Sequence, residues 1–171
     1  MKPLEPPDSF HVMAAHGWLG LGSPADAAEE LGKVAPEFRS HPEVLQTRWT
    51  VCASRGQWAA CTDLGRLLIE ADPADSFGWI NRSYALRRAP GGGVEAAYEA
   101  LLPALDQLKD IEQVTFNLGC YSCLLGRVDE ARRWLVKFFA LARQGRRLQR
   151  AREMALQETD LQPLWPEVGK L

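Results

Sequence analysis

The cysteine pair Cys120 and Cys123 has the spacing of half of a metal or redox site. A structural zinc site needs about four ligands, and neither a second cysteine pair nor a histidine pair follows this one. Both thiols fall in a stretch predicted to be helical, where free cysteine usually serves as a small apolar side chain. We therefore predict that the two thiols pack in the core or in a groove wall, and that the chain needs no metal or other cofactor.

The three histidines do not suggest a catalytic group. His11 and His16 are five residues apart, which places them on different faces of a helix, and His41 is distant in sequence. The sequence also lacks the signatures of zinc proteases, of nucleophile-elbow hydrolases and of phosphate-binding loops. The Pro-Gly-Gly-Gly stretch at 90–93 has no following Lys-Ser/Thr, so we predict a turn there. The sequence thus favours a protein that is not an enzyme.

Basic side chains concentrate near the C-terminal end, although the whole chain has a formal net charge of −2. Four arginines follow the helical spacing i, i+3, i+4, i+7: Arg143, Arg146, Arg147 and Arg150. The simplest interpretation is one solvated stripe of an amphipathic helix. The functional alternatives are a surface for an acidic protein partner or for a nucleic-acid backbone. A pI of about 5.9 argues against nucleic acid, because nucleic-acid-binding domains are usually basic throughout.

Composition predicts one folded domain. The chain has 171 residues, of which 46% are hydrophobic and 25% are charged, values close to those of ordinary globular proteins. It contains no apolar run long enough to span a membrane, and the segment before Phe10 has no apolar core of a signal peptide. Because the four cysteines are best interpreted as free thiols, we expect the protein in the cytoplasm.

Glycines recur at a nearly constant interval. Gly22, Gly56, Gly92 and Gly126 are separated by 34, 36 and 34 residues. A small side chain stands five residues after each glycine: Ala27, Cys61, Ala97 and Ala131. Helix-length stretches flank every glycine, so the pattern predicts helical hairpins in which glycine turns the chain with positive φ. A single hairpin cannot bury its own apolar face, and successive hairpins must therefore stack.

This pattern resembles the tetratricopeptide repeat (TPR) family, whose period is 34 residues. The best match lies in 117–131, where Asn-Leu-Gly-Cys-Tyr is followed by Leu-Gly-Arg-Val-Asp-Glu-Ala. The match weakens around Trp79 and Trp49, and it is weakest in the first unit. The resemblance implies an all-α fold, a right-handed superhelix of stacked antiparallel helix hairpins.

The resemblance also implies a layout for the single domain of residues 1–171. Its units would cover about 9–40, 41–75, 76–110 and 111–143, followed by a cap helix and tail at 144–171. We predict that the cap is one helix from Gln144 to Gln157 and that the tail docks on it through Leu161, Leu164 and Trp165. Pro103 should kink the second helix of the third unit.

Members of the TPR family bind peptides or protein segments in a concave groove, and an asparagine of the first helix often faces that groove. Asn81 and Asn117 occupy this register. An amide side chain there can both donate to and accept from a peptide backbone. The neighbouring groove positions that we expect to contact a partner are Tyr84, Arg88, Phe116 and Cys120. The alternative is that the asparagines only bond between adjacent helices.

We therefore predict a non-catalytic scaffold or adaptor that binds a protein or peptide in this groove. Two alternatives stay open: a module that self-assembles through its degenerate first unit, and a binder of nucleic acid or of an acidic partner through the Arg143–Arg150 stripe. The sequence names no partner. It also leaves open whether the C-terminal tail occupies the groove.

Overall fold

The computed structural model describes residues 3–108 and 111–171, and within these ranges the protein is all-helical, without a β-strand. The α-helices in chain order are α1 (Asp8–Gly20), α2 (Pro24–Gly32), α3 (Pro42–Ser54), α4 (Trp58–Ala71), α5 (Ser76–Leu86), α6 (Val94–Leu101), α7 (Ala104–Gln107), α8 (Glu112–Leu124), α9 (Val128–Gln144), α10 (Leu148–Gln157) and α11 (Trp165–Val168). Short 3-10 turns form at Pro36–Phe38 and Thr159–Leu164. No helix in the described ranges combines the length and hydropathy that a membrane span requires.

Helices that follow one another across a glycine turn pack together in pairs. The pairs are α1 with α2, α3 with α4, α5 with α6, and α8 with α9. Each pair also contacts its neighbour: α2 packs on α3, α4 on α5, and α6 on α8. Helices α4 and α5 approach each other closely, because a Cβ atom added to Gly65 would lie 2.6 Å from the Cβ atom of Arg82. Glycine at position 65 is therefore required by packing between two helix backbones.

The glycine turns form as predicted at three places. Gly22, Gly56 and Gly126 have φ values of 76°, 67° and 74°, in the left-handed region that glycine tolerates best. At each turn the residue after the glycine donates its backbone N–H to the carbonyl oxygen five residues earlier. The N–O distance is 2.9 Å in all three: Ser23 to Trp18, Gln57 to Cys52, and Arg127 to Ser122. This hydrogen bond belongs to the Schellman motif, which ends a helix sharply.

The third turn differs from the prediction in detail. Its two-residue insertion moves the positive φ from Gly92 to its neighbours, so that Gly91 has φ 75° and Gly93 has φ 124°. Gly93 donates its N–H to the carbonyl of Leu86, and a Cβ atom on Gly92 would lie 2.0 Å from that same oxygen. All three glycines are therefore needed, two for their backbone angles and one for space.

The residues that follow the turns in register form the core. The small side chains five positions after each glycine are completely buried, with 0% exposure at Ala27, Cys61, Ala97 and Ala131. The apolar side chains twelve positions after are buried too: Val34, Leu68, Ala104 and Phe138. Both registers therefore point into the core. Pro103 also acts as predicted, since α6 ends at Leu101 and α7 begins only at Ala104.

The prediction of a cap helix from Gln144 to Gln157 is wrong at its start. The helix before it, α9, extends to Gln144, and α10 begins only at Leu148. Arg146, between them, adopts φ 56°, and Arg147 donates its N–H to the carbonyl of Ala142 at 2.8 Å. A helix terminator of the same Schellman type, built on arginine instead of glycine, therefore separates the two helices.

The C-terminal segment docks as predicted. Leu161, Leu164 and Val168 are fully buried in the cluster that also contains residues of α8, α9 and α10. The indole N–H of Trp165 donates to the carbonyl of Ala155 at 3.1 Å, which fixes α11 against α10. The tail thus closes one end of the helix stack and lies directly on α8.

Candidate functional site

Three of the predicted contact residues lie on one side of α5 or just beyond its end. Asn81, Tyr84 and Arg88 are spaced by three and four residues, which places them on one helical face. Tyr84 has 39% of its surface exposed. The guanidinium carbon of Arg88 lies 3.5 Å from the centroid of the Tyr84 ring and 5.5 Å from that of Trp58. The result is an exposed platform that combines a positive charge with an aromatic ring.

The Tyr84 ring is supported from beneath by two tryptophans. Its centroid lies 6.4 Å from Trp49 and 5.8 Å from Trp58, both in edge-to-face geometry. Trp49 in turn packs edge-on against Phe77 at 5.8 Å. Aromatic pairs in this geometry attract one another beyond the effect of area alone. The platform is therefore held in place by aromatic contacts within the fold.

A cavity of about 330 Å³ lies between α5, α8 and the C-terminal 3-10 turn. Its walls are formed by Tyr84, Arg87 and Arg88 of the α5 region, by Asn117, Cys120 and Tyr121 of α8, and by Glu158 and Asp160. The fold thus brings four predicted residues, Tyr84, Arg88, Asn117 and Cys120, to one place. Asn81 lies one turn before Tyr84, outside the cavity wall. We call this cavity and the adjacent α5 platform the α5–α8 groove.

The two asparagines do not connect helices. The Asn81 amide donates to the carbonyl of Phe77 at 3.0 Å, and the Asn117 side-chain oxygen accepts from the Gln113 amide at 3.3 Å. Both bonds lie within the helix of the asparagine itself. Among the described residues, no further hydrogen bond engages either side chain. The Asn117 amide N–H groups are therefore free to donate hydrogen bonds to a carbonyl oxygen.

Two predicted contact residues are buried. Phe116 and Cys120 have exposures of 5% and 4%. Both belong to the apolar cluster that includes Leu161 and Leu164. The C-terminal segment therefore covers the side of α8 that carries these two residues. Phe116 therefore packs in the core in this structure, and its contact with a partner stays a prediction. Cys120 contributes only to the wall of the cavity, and its burial raises the pKa of its thiol.

Sequence reasoning missed the main ion pair of the groove. Arg87 donates two hydrogen bonds to Asp160, from Nη1 to Oδ2 at 2.5 Å and from Nη2 to Oδ1 at 3.1 Å. These hydrogen bonds are the largest cause of the raised pKa of Arg87. No local pattern could reveal the pair, because its members are distant in sequence and Asp160 lies in the tail. Arg88 beside it has no acidic partner among the described residues.

The predicted single stripe of four arginines is not formed. Arg143 belongs to the last turn of α9, Arg146 lies in the connecting turn, and Arg147 precedes α10. Arg147 pairs with Glu112 of α8 at 2.5 Å. Arg147 and Arg150 line a second cavity, of about 390 Å³, whose apolar wall includes Phe138, Ala151 and Met154. The arginines form a basic patch around a turn, because the Schellman terminator interrupts the helical register.

The cysteine pair packs in the apolar core. Cys123, like Cys120, is buried and free, and burial raises the pKa of its thiol. Across residues 3–108 and 111–171, no cluster of three or more His, Cys, Asp or Glu side chains could hold a metal ion.

Neither a protein-family model nor a curated protein matches this chain.

Proposed function

We propose that this chain is a TPR-like helical repeat protein, a right-handed superhelix of stacked hairpins, that binds an extended segment of another protein in the α5–α8 groove. The observation that carries the proposal is the convergence of Tyr84, Arg88 and Asn117 around one cavity. The nearly constant spacing of the hairpin turns supports the assignment to a repeat architecture. In this proposal the protein is a scaffold or adaptor without catalysis of its own, and its four free cysteines fit the reducing cytoplasm.

The groove is suited to a peptide rather than to a folded domain. A volume of about 330 Å³ is at the small end of ligand pockets and accommodates one or two side chains. Asn117 supplies hydrogen bonds for a backbone, and the exposed part of the Tyr84 ring, beside the Arg88 guanidinium that stacks on it, offers contact to an apolar side chain. Aromatic residues and arginine are the side chains most often responsible for binding energy at protein interfaces. Arg88 adds a charge that a carboxylate of the partner would neutralise.

The first test is affinity capture with wild type beside the double variant Arg88→Ala/Asn117→Ala, at low and at high salt. Both side chains leave the core intact, so the variant should fold. The matched control is Glu99→Ala/Arg133→Ala, which alters two exposed side chains on other helices. We expect a partner that is retained by wild type and by the control at both salt concentrations and is lost by the groove variant. Equal retention by all three proteins would refute the groove.

The basic patch around Arg146 supports a second candidate function, binding of an acidic partner. The observation in its favour is the cavity that joins Arg147 and Arg150 to apolar side chains. Binding there would weaken steeply with salt, because it depends on charge. Arg147→Gln/Arg150→Gln should abolish it without affecting the groove. A partner that stays bound at high salt and is lost by the variant without the Asn117 amide binds in the groove. A partner that is lost at high salt and retained by that variant binds at the basic patch.

A further inference from the structure

Helix α1 carries apolar side chains on two opposite faces. Its inner face packs into the core through Val12, Ala15 and Leu19. Its outer face, together with the residue that follows the helix, leaves four large apolar side chains exposed: Phe10 at 59%, Met13 at 67%, Trp18 at 38% and Leu21 at 77%. Ala14 and Gly17 lie between them and are exposed as well. We call these six residues the outer stripe.

The outer stripe is unusual for the end of a helix stack. A helix that is apolar all round is normally buried on all sides. The terminal units of a repeat array normally present a polar outer face, because nothing covers them. The outer stripe contains no charged side chain, so an acidic or basic segment would gain nothing from it. The surface that complements the outer stripe is therefore an apolar one.

The order of residues in the stripe is self-complementary. Phe10 with Leu21, Met13 with Trp18, and Ala14 with Gly17 are three pairs centred on one point of the helix, between positions 15 and 16. When two copies of α1 pack antiparallel about a two-fold axis at this point, each large side chain faces a large one. The small residues Ala14 and Gly17 face each other at the centre and let the backbones approach closely.

The exposed area corresponds to a small dimer interface. With roughly 200 Å² for a side chain of this size, the four large residues expose about 480 Å² per copy. Two copies that covered these side chains completely would bury about 960 Å² in total, the size of a weak, concentration-dependent interface. Symmetric dimers, in which the same patch on both copies is used, are the commonest oligomers of soluble proteins.

We propose that the outer stripe is a dimer interface, occupied by the outer stripe of a second copy of this chain in antiparallel orientation. The proposal is independent of the α5–α8 groove, which lies on other helices. A dimer built in this way presents two grooves. It would raise the effective affinity for any partner that carries two binding segments.

The test is light scattering over a wide range of concentration, with Gly17→Glu as the diagnostic variant. A Cβ atom on Gly17 meets no other atom within 4 Å, so the substitution leaves the fold of one copy undisturbed. In the dimer it would place two carboxylates beside the symmetry axis. We expect wild type to approach twice the monomer mass as concentration rises and Gly17→Glu to stay monomeric. The control, Val136→Glu, changes a side chain on α9 that is 50% exposed and should dimerise like wild type.

The orientation is tested by cysteine cross-linking in a Cys52→Ser background, which removes the most accessible native thiol. Mixing Ala14→Cys with Gly17→Cys should give disulfide-linked pairs faster than either variant alone, because the antiparallel register places position 14 opposite position 17. A wild-type monomer at every concentration would overturn the proposal. A dimer that Gly17→Glu leaves intact would overturn it equally.

Discussion

Arg87 and Asp160 are joined by two parallel hydrogen bonds although 73 residues separate them in the chain. The pair fastens the C-terminal 3-10 turn to the end of α5, while the adjacent Leu161 is buried against α8. The tail is therefore connected to two helices, to α5 by the ion pair and to α8 by Leu161. Together these contacts close one side of the cavity in the α5–α8 groove.

We predict that Arg87→Ala lowers the free energy of unfolding by about 1 to 3 kcal/mol, the range for hydrogen bonds to charged groups. The side chains of the pair are only 28% and 13% exposed, so water screens their attraction weakly. The matched control is Arg66→Ala, whose partner Glu70 is 58% exposed. That change should cost less than about 1 kcal/mol. Urea unfolding measures both variants, and equal losses would contradict the structural role of Arg87.

The close approach of α4 and α5 predicts that Gly65 tolerates no side chain. Gly65→Ala should destabilise the protein by about 1 to 3 kcal/mol, because its methyl group would overlap the backbone and Cβ of Arg82. Gly119→Ala is the control, since the nearest atom to its new methyl group would be 3.5 Å away. There we expect a gain of up to about 1 kcal/mol from helix propensity. Thermal unfolding of the two variants should shift in opposite directions.

Arg146 occupies a backbone conformation that costs an L-residue about 1 to 2 kcal/mol. We therefore expect Arg146→Gly to stabilise the protein by about 1 kcal/mol. The converse change at an equivalent turn, Gly126→Ala with φ 74°, should destabilise it by a similar amount. Urea midpoints report both effects. Equal stabilisation by Arg146→Gln, which removes the charge but keeps a Cβ atom, would point to charge instead of backbone strain.

The thiols should differ in reactivity according to their burial. Cys52 is half-buried, whereas Cys61, Cys120 and Cys123 are buried. Burial raises the pKa of Cys61 to about 11, so little of the reactive thiolate exists at neutral pH. We therefore expect iodoacetamide to label Cys52 first in the native protein. Mass spectrometry of the digested peptides measures the rate of labelling at each cysteine.

The same experiment tests the covering of α8 by the tail. Because Leu161 and Leu164 belong to the cluster around Cys120, weakening the tail with Arg87→Ala should speed the labelling of Cys120 more than that of Cys61. In denaturant all four thiols should react at similar rates. Native labelling of Cys120 as fast as Cys52 would show that the tail does not protect it.

The sequence by itself determined the helices, their turns and much of the core. Positive φ at Gly22, Gly56 and Gly126 follows from local backbone sterics, and burial of Ala27 and Ala131 follows from a repeated short-range pattern. Such features depend on residues a few positions apart. A periodic sequence therefore predicts them without knowledge of the rest of the chain.

Only the tertiary structure decided what the groove exposes. Phe116 has the register of a groove residue, yet Leu161 and Leu164 return from the end of the chain and join the same cluster. The arginine stripe failed for a different reason, since the terminator at Arg146 interrupts a periodicity that continues in the sequence. Burial and ion pairing across many residues depend on which surfaces meet in three dimensions. Such contacts cannot be predicted from local sequence, because the pattern around each residue is the same whether or not the two surfaces meet.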